Sequence, residues 1–168
     1  MVLRFFQTER DVMLLTLRVM LAIVIFPHGA QKLLGWYGGF GLEGTMQFFA
    51  SIGVPALLAV AVIASDFFGS IALALGLWAR LAAVGTLAVM LGAMVLVHGE
   101  YGFFINWYGA QQGEGIQFQL LASAASALLI AKGAGAWSLD GIVARRLAPS
   151  GAGSLADRDA PRIVRAAA

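Results

Sequence analysis

The chain has 168 residues, of which 60% are hydrophobic and 12% are charged, and its formal net charge is +2. Soluble domains carry about 25% charged residues, so a chain this apolar is expected in a membrane rather than in solution. It contains no cysteine, which excludes disulfides and thiolate chemistry. Its basic residues lie at segment ends, a pattern typical of membrane orientation rather than of nucleic-acid binding.

Four apolar segments follow an N-terminal segment of residues 1–11. Because a bilayer core needs about 20 apolar residues of helix, we predict spans at 12–34, 55–78, 81–98 and 116–132 within a transmembrane domain of residues 12–136. The last span is the shortest, and local thinning of the bilayer would let it cross. Arg18 interrupts the first segment, which we interpret as a retained helix and not a signal peptide. The fold prediction is all-α, a polytopic four-helix bundle.

The Lys and Arg residues outside the spans fall almost entirely on one side of this bundle. The positive-inside rule then places both termini in the cytoplasm. The two outer loops are rich in Gly and aromatic residues, and the loop residues Phe48 and Phe49 predict a short re-entrant or interfacial turn. After the spans, residues 137–147 predict an amphipathic helix on the cytoplasmic membrane face. Residues 148–168 are small and polar, which predicts a flexible tail.

Two charged residues fall inside predicted spans. Asp66 lies near the middle of the second span, where a charge costs several kcal/mol unless it is paired or binds a proton. Arg18 lies in the first span and is long enough to approach it. One interpretation is a structural Arg18–Asp66 pair that holds two helices together. The other is a site for a proton or a polar head group.

The first span carries a stripe of residues at steps of three and four, which share one helix face. The members are Leu14, Arg18, Leu21, Ile25, His28 and Lys32. Arg18, His28 and Lys32 are therefore predicted to face the same neighbours. Pro27 frees a backbone carbonyl beside His28, which fits either a cavity wall or a packing kink.

Met and small residues raise two further possibilities. His98 ends the third span on a stripe with Met90 and Met94. His28, His98 and Met94 are weak candidates for copper or haem ligands, but methionine stripes on apolar helices usually pack, so we do not expect a metal. Ala61, Ser65 and Gly69 form a small-residue row that predicts close helix packing.

Several stretches resemble the DoxX family of small bacterial membrane proteins. These are "LRVMLAIVIFPHGAQKLLG", "GTMQFFASIGVPALLA", "DFFGSIALALGLWARLAA" and "WSLD", spread in the same order over residues 12–142. The resemblance implies a four-helix bundle in a bacterial inner membrane. The family usually has Glu where this chain has Asp66, and often an acid near the position of the neutral Gln117, which weakens a two-carboxylate proton mechanism here.

Named members of that family are associated with thiosulfate:quinone oxidoreduction or with membrane complexes of oxidative stress. The resemblance therefore implies an accessory or quinone-associated component of a larger membrane redox complex. Quinone carbonyls accept hydrogen bonds, and their reduction needs protons, for which Asp66, His28 and Glu43 are relay candidates. The predicted ligand-binding residues are Arg18, His28, Lys32, Asp66, His98, Trp107 and Tyr108.

Two alternatives remain open. The chain has no dinucleotide fingerprint and no clear haem motif, so it is not expected to be a complete oxidoreductase alone. It could instead be a purely structural or assembly subunit that docks onto a larger complex. It could also be a small proton-coupled transporter that uses Asp66, although four helices without an inverted repeat argue against that. The expected partners are membrane lipids and a larger membrane complex, with a homo-oligomer left open and no covalently bound cofactor.

Overall fold

A computed structural model describes Phe6 and residues 10–147 of the chain. All regular structure within these residues is helical, which confirms the all-α prediction. The predicted tail at 148–168 and most of the N-terminal segment 1–11 lie outside the described residues.

Residues 12–51 form two helices on either side of a sharp turn. Helix α1 covers Val12–Leu34, begins at the cap residue Asp11, and ends at Gly35, whose φ of 73° is left-handed and suits glycine. A short 3₁₀ turn at Trp36–Gly38 leads into helix α2, Gly41–Ser51. Residues Phe48 and Phe49 thus lie on an 11-residue helix and not on the short turn that the sequence predicted.

The remaining helices complete an antiparallel bundle. Helix α3 covers Ala56–Leu75 and contains a π-helical turn at Ser65–Gly69. Helix α4 covers Ala79–Tyr101, with a second π-helical turn at Met94–His98. Helices α5, Gln117–Lys132, and α6, Leu139–Leu147, follow.

Three of these helices, α1, α3 and α4, are long and apolar enough to cross a membrane. The 16 residues of α5 extend about 24 Å at 1.5 Å per residue, which is shorter than a hydrocarbon core of about 30 Å. The buried core runs along α1, α3, α4 and α5 and includes Ile25, Leu73, Met90 and Leu129. Helix α3 packs on α4 through Ser65–Leu75.

The two ends of the bundle differ. The loop end carries α2 and the long connection 102–116, and the tail end carries the tight link 76–78 and α6. At the tail end, the Asp140 carboxylate accepts hydrogen bonds from the backbone N–H of Trp78 at 2.7 Å and of Ala79 at 2.9 Å. A residue of α6 thereby caps the start of α4. Burial raises the pKa of the Asp140 carboxyl, and these two donors and the nearby Arg18 and Arg80 oppose that rise.

Candidate functional site

The Arg18 guanidinium is buried at the tail end and binds only backbone carbonyls there. Its Nη1 donates to the carbonyls of Leu73 at 2.8 Å and Ala74 at 2.6 Å, and its Nη2 to those of Ala136 at 3.2 Å and Trp137 at 2.9 Å. The last carbonyls of a helix have no partner within it and form the negative end of its dipole. Carbonyls at the end of α3 and of Ala136 and Trp137 therefore hold the two terminal nitrogens of Arg18. The interpretation of an Arg18–Asp66 pair is wrong, because Asp66 has another partner.

Asp66 instead forms an ion pair with Lys32. The Lys32 ammonium donates to Oδ2 of Asp66. The Asp66 side chain is 1% exposed and that of Lys32 is 28% exposed, so the pair joins the bundle interior to its surface. Oδ1 of Asp66 is buried and has no hydrogen-bond partner among the described residues. Within the described residues, Lys32 therefore engages one of the two oxygens of this carboxylate.

A glycine contact brings these two residues together. Asp66 lies on the π-helical turn of α3, and Gly29 of α1 packs directly against that turn. A Cβ atom at Gly29 would lie 2.5 Å from the backbone N of Phe67, closer than any real Cβ contact. Only a glycine allows α1 to approach α3 at this level, and Lys32 follows three residues later on the same helix.

A cavity of about 360 Å³ lies beside the ion pair, between α2, the first half of α3 and α4. Its walls are mainly apolar, with Phe48 and Phe49 of α2 on one side. Its polar members are Lys32, Ser65 and His98. The small-residue wall consists of Ala61 and Ser65 on α3 and of Gly85, Ala88 and Gly92 on α4. Ala61 and Ser65 line the cavity, and Ser65 also packs closely on α4, because a Cβ at Gly85 would lie 2.5 Å from the Ser65 Oγ.

His98 lines this cavity but is engaged with its own loop. Its Nδ1 lies 2.8 Å from the carbonyl oxygen of Glu114. The Gln119 amide is assigned so that its nitrogen donates to the carbonyls of Gly115 and Ile116. In this orientation the Gln119 side-chain oxygen lies 3.0 Å from Nε2 of His98. Both partners are acceptors, so a neutral His98 ring can donate to only one of them at a time. The sequence reasoning missed the buried Gln119, whose signal was a polar amide inside an apolar segment.

His28 lies on another side of α1. Its ring packs against Phe118 of α5 with centroids 5.9 Å apart, and it is not part of the cavity wall. It remains close enough to Lys32, Asp66 and His98 for electrostatic interaction. The buried face of α1 shifts after Pro27, because Gly29 and Ala30 are buried there while His28 is exposed. The three residues predicted to face the same neighbours have different contact partners: Arg18 binds backbone carbonyls, His28 packs on Phe118 and Lys32 pairs with Asp66.

The other predicted site residues lie away from the cavity. Glu43 is exposed on α2 and faces Gln47. Trp107 and Tyr108 are 76% and 96% exposed at the tip of the 102–116 loop. The Asn106 side chain closes this tip through hydrogen bonds to Gln111. Within the described part of the chain, no three His, Asp or Glu side chains are grouped as metal ligands would be.

The chain is similar to a known protein family and to a protein of Bacillus subtilis. The family model described as DoxX matches residues 13–99. "Putative oxidoreductase CatD" of Bacillus subtilis (strain 168) is 35% identical over 92 residues, which cover 55% of this chain and 64% of that protein, slightly less than two thirds of it. No solved structure is significantly similar to the chain.

Two relatives from Escherichia coli (strain K12) match over most of their length. "Inner membrane protein YphA" is 31% identical over 144 residues, covering 82% of this chain and 96% of the relative. "Inner membrane protein YqjF" is 27% identical over 136 residues, covering 81% of this chain and 95% of the relative.

Proposed function

We propose that this chain, which belongs to the DoxX family of bacterial inner-membrane proteins, holds the head group of a membrane quinone in the cavity beside Lys32. In this proposal it acts as an accessory component of a larger membrane redox complex. The observation that carries the proposal is the combination of an apolar cavity of about 360 Å³ with an ammonium donor at its edge.

The chemistry of the cavity residues fits such a ligand. Quinone carbonyl oxygens are acceptors, and the Lys32 ammonium has three N–H donors, of which one is used by Asp66. The apolar walls, which include Phe48 and Phe49, suit an isoprenoid chain. A bound quinone would supply two-electron redox chemistry coupled to proton uptake. Asp66 would hold Lys32 in position and is the buried carboxyl next to it.

The relatives support a redox role only in part. The name of the Bacillus protein includes oxidoreductase, while the two Escherichia names give a location alone. A partner subunit would deliver the electrons in this proposal. The proposal assigns no ligand contact to His98, because its ring already faces the Glu114 carbonyl and the Gln119 amide of its own loop and of α5.

Filling the cavity tests the proposal. Gly92 lines the cavity, and a Cβ there would have nothing within 4 Å, so Gly92→Leu should fold and occupy the ligand's space. Quinone that copurifies with the protein from its own membrane, measured after extraction, should fall about ten-fold, which corresponds to about 1.4 kcal/mol of lost binding. Ala124→Leu is the matched control, because it adds the same side chain at an exposed position on α5.

A second pair of variants tests the donor. Lys32→Gln removes the ammonium at the cavity, and Lys132→Gln removes one from the exposed end of α5. Only the first should lower the quinone content. If both Gly92→Leu and Lys32→Gln retain the parent's quinone content and melting temperature, the cavity is not the quinone site.

One observation favours a docking subunit as a second candidate. Phe40, Trp107 and Tyr108 are 81%, 76% and 96% exposed at the loop end, and aromatic residues are enriched at protein interfaces. This candidate predicts that Trp107→Ala with Tyr108→Ala releases the chain from its complex and leaves the cavity variants without effect. The quinone proposal predicts instead that the cavity variants lower the quinone content and that the aromatic double variant does not.

A further inference from the structure

We propose that the tail end carries a second site, which binds the phosphate of an anionic phospholipid in a groove between Arg10 and α6. The groove has a volume of about 820 Å³. Its walls are formed by Arg10, by residues 135–138 and by the α6 residues Gly141, Ile142, Ala144 and Arg145. The site is independent of the cavity, because it lies at the opposite end of the bundle.

The charge of the groove selects an anion. Arg10 and Arg145 are the charged side chains among the described residues that line it. The neighbouring Asp140 is 2% exposed, and both of its oxygens accept backbone N–H groups at the start of α4. Its negative charge is therefore turned away from the groove. Arginine guanidinium groups bind phosphate through two parallel hydrogen bonds.

The floor of the groove is fixed before any ligand binds. The buried Arg18 guanidinium donates hydrogen bonds to the carbonyls of Ala136 and Trp137. The Ser138 hydroxyl donates to the carbonyl of Gly135 at 3.1 Å and accepts from the N–H of Gly141 at 3.1 Å. These contacts join the groove to the bundle. A pre-organised site loses little conformational freedom on binding.

The surroundings of the groove suit a lipid rather than a soluble anion. Trp137 is 90% exposed and has a φ of 46°, a left-handed conformation that costs a non-glycine residue energy. Tryptophan rings settle at membrane interfaces. Leu139, Ile142 and Leu147 on α6 are also exposed, at 38%, 40% and 50%. These side chains would meet the acyl boundary while the arginines reach the phosphate.

The chain's own C-terminal segment is a poorer occupant. Residues 148–168 contain three arginines and two aspartates, a net charge of +1, which has the same sign as the groove. A phospholipid with a net negative charge has the complementary sign. The membrane surface also supplies it at high local concentration.

Adjacent arginines provide the test. Arg145 lines the groove, whereas Arg146 is exposed on the same helix and does not line it, so Arg145→Gln and Arg146→Gln remove the same charge one residue apart. The full chain in mild detergent is titrated with phosphatidylglycerol or phosphatidylcholine, and bound lipid is counted by native mass spectrometry. Affinity for phosphatidylglycerol should fall about five-fold in Arg145→Gln and Arg10→Gln, a size typical of one basic residue at an anionic surface.

The remaining arms decide against the alternatives. Arg146→Gln should change the affinity for phosphatidylglycerol little, and phosphatidylcholine should bind little to any variant. Arg145→Lys should restore part of the affinity that Arg145→Gln loses. Equal losses in Arg145→Gln and Arg146→Gln would mean general surface attraction and would overturn the site. Full displacement of the lipid by millimolar inorganic phosphate would make the ligand a free anion. An Arg10→Gln, Arg145→Gln double variant with unchanged melting temperature and unchanged lipid binding would also refute the proposal.

Discussion

Arg18 and Asp66 are each 1% exposed, and the protein satisfies their charges in two different ways. The planar guanidinium of Arg18 has five donors in a fixed fork, which suits the carbonyls at the end of α3 and before α6. The Asp66 carboxylate takes the compact ammonium of Lys32. Both arrangements follow the rule that a buried charge must be paired or hydrogen-bonded. Arg18 therefore serves the fold, and the Lys32–Asp66 pair serves the candidate site.

Replacement of Arg18 by lysine should destabilise the bundle although the charge is kept. One ammonium cannot reach both the Leu73–Ala74 pair and the Ala136–Trp137 pair of carbonyls that Arg18 joins. We expect a loss of about 3 kcal/mol, since each buried group left unsatisfied costs about 1–3 kcal/mol. Thermal unfolding in detergent, followed by circular dichroism, measures it. The exposed Arg145→Lys is the control, and equal melting temperatures for the two variants would contradict the assignment.

The partners of these charges were hard to predict from sequence for a physical reason. Residue identity and helical depth indicated that Arg18 and Asp66 needed partners and that Arg18 was long enough to reach. The acceptors of Arg18 are backbone carbonyls, which every residue carries, so no residue type marks them. Asp66 also lies on a π-helical turn, where the spacing of residues departs from the 3.6 per turn on which sequence-based face assignment depends.

At the scale of the helices, glycine has two opposite uses in this bundle. Gly29 permits contact, because the backbone of α3 fills the space that its side chain would need. Gly92 leaves space, because a side chain there would contact nothing within 4 Å. In the sequence both are single glycines within apolar helices. Their different roles depend on the close approach of α1 to α3 at Gly29 and on the open space beside α4 at Gly92, which only the three-dimensional arrangement determines.

Alanine substitution should separate these two roles. Gly29→Ala forces a Cβ against the backbone of Phe67, and overpacking of this kind costs about 1–3 kcal/mol. Gly92→Ala meets no atom and should be neutral or stabilise by up to about 1 kcal/mol through better helix propensity. Chemical or thermal unfolding of the two variants under one condition measures the difference. A Gly29→Ala protein as stable as Gly92→Ala would mean that α1 and α3 are not in tight contact.

The helical architecture was more accessible from sequence than the connections. Long apolar runs identify membrane helices because the bilayer requires length and hydrophobicity together. Helix α2 gave a weak signal, since Gly41 and Gly44 lower its helix propensity and it is only 11 residues long. The sequence also did not predict that Asp140 of "WSLD" caps the start of α4, because this role depends on tertiary contact.

For the whole molecule, the two ends of the bundle separate two kinds of chemistry. At the tail end, Arg18 is hydrogen-bonded to backbone carbonyls and exposed arginines lie on α6. The loop end combines the cavity with exposed aromatic side chains. This asymmetry fits the predicted orientation, with the tail end on the cytoplasmic side where basic residues are enriched. A quinone would then enter from the outer half of the bilayer, and an anionic lipid would bind from the inner half.

Thiol labelling can determine both the orientation and the number of crossings. The chain has no cysteine, so Gln112→Cys and Leu147→Cys each create a single thiol, at exposed positions before and after α5. We expect a membrane-impermeant maleimide to label Gln112→Cys in spheroplasts, and Leu147→Cys only after the membrane is opened. Labelling of both after detergent treatment is the control for thiol reactivity.

The pattern of labelling carries a separate meaning for each alternative. The reverse pattern would invert the bundle and place the arginines of α6 outside. Labelling of both positions from one side would mean that the 16-residue α5 does not cross. The bundle would then cross three times, through α1, α3 and α4 alone. In that case α5 would have to lie against α4 at the interface, and its buried Gln119 and Ser126 would face the protein rather than complete a span.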